Sequence, residues 1–199
     1  MLDRYARPYV NGVFQKIARG FLDQGLKPNQ ITLAALIVGL LAGLSLAFNW
    51  TWLALILLWL SGLLDAVDGE MARLSGTSSL WGAQLDIVFD RLVELAIIWG
   101  LAYRHPEARP ALIGLLSAIL ISMTVFLTSG MYAPKKGNKA FYYQAGLMER
   151  TEGFIAFSLM MIFRGHLVIL TWIYAALIVV TIGQRLWEAH KLLAGLKNS

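Results

Sequence analysis

Residues 28–64 read PNQITLAALIVGLLAGLSLAFNWTWLALILLWLSGLL, a run without one charged side chain. At a rise of 1.5 Å per residue, about 20 such residues cross the roughly 30 Å hydrocarbon core of a bilayer. The run is long enough for two crossings, and Asn49-Trp50-Thr51 supply the turn between them. Residues 111–134 and 167–184 are also free of charge and have the same reading. The bilayer offers no water to backbone N–H and C=O groups, so helix is the conformation these runs adopt. Of the 199 residues 58% are hydrophobic and 15% charged, outside the range of an ordinary soluble domain.

Working outward, the sequence predicts an all-α polytopic membrane protein forming one domain over residues 1–199, with six transmembrane helices. Pro28-Asn29 signals a helix start, and the spans fall at about 31–48, 52–73, 81–103, 111–133, 144–163 and 167–187. Residues 74–80, with Gly76 and several hydroxyls, form a short polar connection between the second and third. Residues 1–27 carry scattered charges and no apolar core of a cleavable leader. There Tyr5, Tyr9, Val10, Val13, Phe14, Ile17 and Phe21 recur at three- and four-residue steps, which makes one apolar stripe. With Arg4, Arg7, Lys16 and Arg19 beside it, the stripe predicts an amphipathic helix lying in the membrane interface. An ordinary packed amphipathic helix is the alternative.

Orientation follows from the positive charges. With the N-terminus inside, Arg4, Arg7, Lys16, Arg19, Lys27, Arg73, Lys135, Lys136, Lys139, Arg150, Arg185, Lys191 and Lys197 all fall on the cytoplasmic side. Only Arg104, Arg109 and Arg164 fall outside, with Arg91 left uncounted near the inner end of the third span. That bias places both termini in the cytoplasm. The net charge of +5 is therefore placed for lipid headgroups, and no nucleic-acid partner is implied. Cysteine is absent, which excludes disulfides and thiolate chemistry.

Acids inside spans are costly and read as functional by default. Asp65 and Asp68 are three residues apart and share a helix face; Asp86 and Asp90, four apart, do the same. The short cytoplasmic connection makes their two helices antiparallel neighbours, so the four carboxylates converge near the turn. Four such groups together require neutralisation, and hard divalent cations such as Mg²⁺ and Mn²⁺ prefer carboxylate oxygen. Two such ions suit displacement at phosphorus. Gly69 and Gly82 leave room beside the acids for a ligand or for close backbone approach. Arg73, on the side of Gly69, offers a planar fork to phosphate oxygens.

The run Asp65-x2-Asp68-Gly69-x2-Ala72-Arg73-x8-Gly82-x3-Asp86-x3-Asp90 resembles the complete signature of the CDP-alcohol phosphotransferase family, with every spacing matched. Chain length, span number and the motif's place across spans two and three resemble it too. The resemblance implies a dimeric membrane enzyme in a bacterial or archaeal cell membrane. Such an enzyme takes a CDP-activated lipid at its cytoplasmic side and moves its phosphatidyl-type group to an alcohol, with loss of CMP. It implies that Asp65, Asp68, Asp86 and Asp90 hold two divalent ions, Mg²⁺ or Mn²⁺. Asp90 would also be the general base, while Gly69, Ala72 and Arg73 contact the cytidine diphosphate, with Gly82 across from them. Pro28-Asn29-x2-Thr32 resembles a further family feature beside the nucleotide. On its own, Asn29 also reads as a cap of the first span.

The acceptor side is legible only as charge. Lys135, Lys136, Lys139 and Arg150 are candidates for binding a phosphate on the acceptor, such as glycerol phosphate or inositol phosphate. Positive-inside anchoring accounts for the same residues, and serine or another unphosphorylated alcohol is an alternative acceptor. Phe141, Tyr142 and Tyr143 read as an interfacial aromatic belt. Gly39-x3-Gly43 is a close-packing motif whose partner helix is open, a dimer contact included. Two other function classes are a divalent-cation transporter and a non-catalytic scaffold. The absence of acids from the outer half of any span counts against transport.

Overall fold

The computed structural model describes residues 2–132 and 146–196, with side chains placed for 11–132 and 146–194. Among the described residues there are seven α-helices and no strand. They are α1 (Leu2–Asp23), α2 (Pro28–Ala47), α3 (Thr51–Leu74), α4 (Leu80–Arg104), α5 (Arg109–Tyr132), α6 (Arg150–Ile162) and α7 (Leu167–Leu196). They divide between two compact units, one within Asp3–Pro106 and one from Glu107 onward. Four segments are long and apolar enough to cross a membrane: Pro28–Ala47, Thr51–Leu74, Pro106–Tyr132 and Arg164–Ala194.

In the first unit, Pro28 opens α2 at a position where its missing N–H costs nothing. Lys27 is the extended residue before it, and its N–H donates to Gln30 Oε1 at 2.8 Å. Asn29 therefore lies inside the helix and is not its cap. At the other end Asn49 turns the chain with φ +66, a left-handed conformation that asparagine tolerates. α2 packs along both α3 and α4. Its small residues permit this: Ser61 Oγ of α3 donates to Ala35 O at 2.8 Å. A methyl at Gly39 would fall 2.8 Å from Val93 Cγ1, and one at Gly43 2.7 Å from Ala96 Cβ. The Gly39-x3-Gly43 motif is thus occupied by α4 of the same chain.

Two expectations change here. α2 packs closely along both α3 and α4, and comes nearer to each than they come to one another. The stripe on α1 is not simply given to lipid. Phe14, Ile17 and Phe21 pack with Ala18 against Ile31, Val67 and Met71. Val13 is turned outward instead. The side chains of Tyr5, Tyr9, Val10, Arg4 and Arg7 lie outside the described residues.

The second unit holds α5, α6 and α7, with α7 packed along α5 and against α6. Trp172 of α7 sits where a methyl at Gly114 of α5 would be, 2.8 Å from its Cζ3. α6 has 13 residues, too few to cross the hydrocarbon core alone, whereas a span over 144–163 was expected. The cause is local. Leu147 N–H donates to Gln184 Oε1 and Met148 N–H to Thr181 Oγ1, each at 3.0 Å, so these amides bond α7 side chains ahead of the helix. Residues 144 and 145, the lysines Lys135, Lys136 and Lys139, and Phe141, Tyr142 and Tyr143 lie outside the described residues. Lys197 does as well.

Candidate metal and nucleotide site

The end of α3 and the start of α4 are fixed by hydroxyls. Ser75 Oγ donates to Met71 O at 2.7 Å and Ser78 Oγ to Ala72 O at 3.2 Å, second bonds to carbonyls that already accept from the Ser75 and Thr77 N–H groups. Gly76 takes φ +67, a backbone that favours glycine. Ser79 then caps α4, accepting from Gly82 N–H at 3.0 Å. This five-residue connection sets where the aspartates of the two helices stand.

Asp65, Asp68 and Asp86 each bring one carboxylate oxygen to a common place, all within 4.8 Å of one another. Asp68 is buried at 7% exposure, and Asp65 and Asp86 are half-buried. At an effective dielectric near 20, ionised carboxylates at that spacing repel by about 3 kcal/mol per pair, so the cluster calls for positive charge. Opposite ligands of an octahedral Mg²⁺ stand about 4.1 Å apart. The all-oxygen donor set thus fits one hard divalent ion with modest tightening. Asp90, one turn further along α4 and half-buried, is not one of the three. No histidine joins them among the described residues.

The glycines settle what lies next to the acids. A methyl at Gly69 would meet only Arg73 Nη1, at 3.7 Å; one at Gly82 would meet Ser79 Oγ at 3.3 Å and Asn29 Oδ1 at 3.7 Å. Among the described residues no other helix backbone approaches either, in contrast to Gly43, where a methyl would run into the Ala96 carbonyl. Close backbone approach is therefore not what these two glycines serve among the described residues. Asn29 comes to Gly82 from α2 and is exposed beside it. Thr32 is buried, its hydroxyl donating to Pro28 O at 3.1 Å, and Ala72 is half-buried. Arg73 is held on α3 by Glu70, whose carboxylate takes Nε at 3.0 Å and Nη2 closely.

The second unit has its own polar cluster. Arg150, half-buried, opens α6 and stands over the Phe154 ring at 5.7 Å. Arg185 of α7 is buried at 8% exposure; Nη1 donates to Ser122 Oγ at 3.1 Å, and the guanidinium stands over the Phe126 ring at 4.9 Å. A methyl at Gly146 would lie 3.4 Å from its Nε, so Arg185 borders the Gly146–Glu149 turn. From sequence, Arg185 was only a positive charge closing an apolar run. The one clue was Ser122, a hydroxyl in the middle of a span.

A profile described as CDP-alcohol phosphatidyltransferase matches residues 26–183. The chain is 32% identical to the inner membrane protein YnjF of Escherichia coli (strain K12), over 100% of both chains. It is 30% identical to the phosphatidylinositol phosphate synthase of Corynebacterium glutamicum, over 96% of this chain and 90% of that one. The crystal structure of Mycobacterium tuberculosis phosphatidylinositol phosphate synthase with CDP-DAG bound is similar at a TM-score of 0.70 and 27% identity, covering 89% of this chain and 93% of that one. The same M. tuberculosis protein in complex with manganese and citrate has the same fold, at TM-score 0.72 and 23% identity over 88% of each chain.

Proposed function

This chain belongs to the CDP-alcohol phosphatidyltransferase family, and on that premise we propose that it moves a phosphatidyl group from CDP-diacylglycerol to a phosphorylated polyol, releasing CMP. The observation that carries the reading is the meeting of Asp65, Asp68 and Asp86 beside the open faces of Gly69 and Gly82. Relatives named as phosphatidylinositol phosphate synthases support inositol phosphate as acceptor, with glycerol phosphate next in chemistry.

Asp65, Asp68 and Asp86 would hold one divalent ion, and Asp90 would help hold a second, Mg²⁺ or Mn²⁺ in each case. Such ions supply neutralisation of the phosphate oxygens and of the attacking and leaving oxygens. Arg73 takes a diphosphate oxygen, and Gly69, Ala72 and Gly82 let the cytidine diphosphate come close to backbone. Asn29 and Thr32 close the side of the nucleotide. Asp90 takes the proton of the acceptor hydroxyl as that oxygen bonds the lipid-proximal phosphorus. The bond from that phosphorus to the bridging oxygen breaks, and CMP leaves with the electron pair.

On the acceptor, Arg150 binds the phosphate, joined by Lys135, Lys136 and Lys139. To these we add Arg185, a buried guanidinium that borders the Gly146–Glu149 turn leading into Arg150. The 158 matched residues run through both compact units, which supports one functional domain over 1–199. In this reading α4, and α6 together with the residues on either side of it, join the four apolar segments as six crossings. α1 then lies at the inner surface, with exposed Lys16 and Arg19 toward headgroups. The positive-inside bias sets both termini and the site in the cytoplasm, and the resemblance implies a homodimer.

The test is purified protein in nanodiscs with CDP-diacylglycerol, Mg²⁺ or Mn²⁺, and a panel of inositol phosphate, glycerol phosphate, serine and inositol. CMP release dependent on a phosphorylated polyol supports the reading. Release with serine or inositol alone overturns the acceptor, and no release with any acceptor overturns the reaction.

A further inference from the structure

Glu70 is not a position of the shared motif, yet it is a buried acid in the middle of it, at 7% exposure. Burying a carboxylate is costly unless it is paired and hydrogen-bonded. Its partner is Arg73, one turn on, through Nε at 3.0 Å and through Nη2. The pair is lopsided: the side chain of Glu70 is 9% exposed and that of Arg73 54%. The acid is the fixed member, and the guanidinium is held at the open side. Glu70 engages Nε and Nη2, which turns the third nitrogen, Nη1, to Gly69, 3.7 Å from where a methyl would be. Gly69 follows Asp68, one of the three clustered carboxylates.

A long, flexible arginine beside three carboxylates is drawn to them, since they are the strongest negative potential nearby. Docked there it would occupy the place of the cation and lose its aim. Glu70 supplies a carboxylate whose single oxygen Oε2 accepts from both Nε and Nη2, which holds the fork by one edge. We infer that Glu70 is a positioning residue for the CDP-lipid donor. It sets the Arg73 guanidinium with Nη1 over Gly69, where a diphosphate oxygen is received, and keeps it off the metal carboxylates. This rests on the proposed donor reading. A pair that only stabilised the helix would leave nucleotide affinity untouched.

The test is a double-mutant cycle on full-length protein in nanodiscs. CDP is titrated calorimetrically in Mg²⁺ against wild type, Glu70→Ala, Arg73→Lys and the double variant. We expect each single change to weaken CDP about tenfold and the double variant to be no more than about twofold worse than either, because both remove one unit. Mn²⁺ titration, read by electron paramagnetic resonance, should show weaker metal binding in Glu70→Ala, and near wild-type binding once Arg73→Ala, which removes the competing charge, is added. CDP affinity within about twofold of wild type in folded Glu70→Ala overturns the inference, as do fully additive losses. If Glu70→Ala does not fold, Glu70→Gln, which keeps the shape and removes the charge, is judged by the same criteria. Wild type that binds no CDP overturns the donor reading itself; wild type that binds it, with an indifferent Glu70, overturns only the positioning role.

Discussion

Adding one methyl at Gly82 or at Gly43 separates function from fold. A methyl at Gly82 meets two polar side-chain tips, Ser79 Oγ at 3.3 Å and Asn29 Oδ1 at 3.7 Å, which give way by a few tenths of an ångström. Alanine is also the better helix former by up to about 1 kcal/mol, though less in the first turn where Gly82 sits. The fold should therefore change by less than about 1 kcal/mol in either direction. The nucleotide, in contrast, would meet a methyl in a fitted space, which costs about 1–3 kcal/mol, or roughly five- to 150-fold in affinity. At Gly43 the methyl runs into the Ala96 carbonyl and 2.7 Å from Ala96 Cβ, and backbone cannot step aside. There α2 and α4 must separate, with about 1–3 kcal/mol or more lost in stability. Thermal unfolding in detergent and CDP titration of both variants give the two readouts. The reasoning fails if Gly82→Ala binds CDP as wild type does, or if its melting temperature falls as far as that of Gly43→Ala.

Asp68→Asn should lose high-affinity Mn²⁺ binding in a resonance titration, since it removes the buried member of the cluster. Asp90→Asn should abolish CMP release while CDP binding largely survives; retained turnover would remove Asp90 from the role of base. Arg185→Ala should raise the KM for the phosphorylated acceptor by about tenfold or more with little change in donor KM, the loss expected for a charge-assisted bond. Equal effects on both substrates would assign it to packing against Ser122 and Phe126. Chelation of divalent ions should stop CMP release, and Mn²⁺ or Mg²⁺ should restore it.

Most of this architecture is local and was legible in sequence. α2, α3, α4 and α5 begin and end within a few residues of the limits set by charge-free runs, Pro28, Asn49 and the Ser/Gly connection. Of the four aspartates whose spacing predicts convergence, Asp65, Asp68 and Asp86 meet, and Asp90 is not in that group. What sequence could not give are relations between helices. A short connection placed α3 beside α4, but gave no sign that α2 packs along both, its Gly43 against the Ala96 backbone of α4. The apolar stripe of α1 reads alike whether it faces lipid or Val67 and Met71. Near Gly146 the backbone trades helical bonds for α7 side chains, so hydropathy overstates the length of α6. The burial of Arg185 and the hold of Glu70 on Arg73 likewise depend on what stands nearby in space.

The central claim is that carboxylates from α3 and α4 hold a cation on which the diphosphate of the donor comes to rest. Phosphorus-31 electron–nuclear double resonance of Mn²⁺-loaded protein, held in excess over metal and given CDP, reads that contact directly. A phosphorus coupling on protein-bound Mn²⁺, absent in Asp68→Asn, is the predicted result. Protein-bound Mn²⁺ without phosphorus coupling, or coupling that persists in Asp68→Asn, would contradict it.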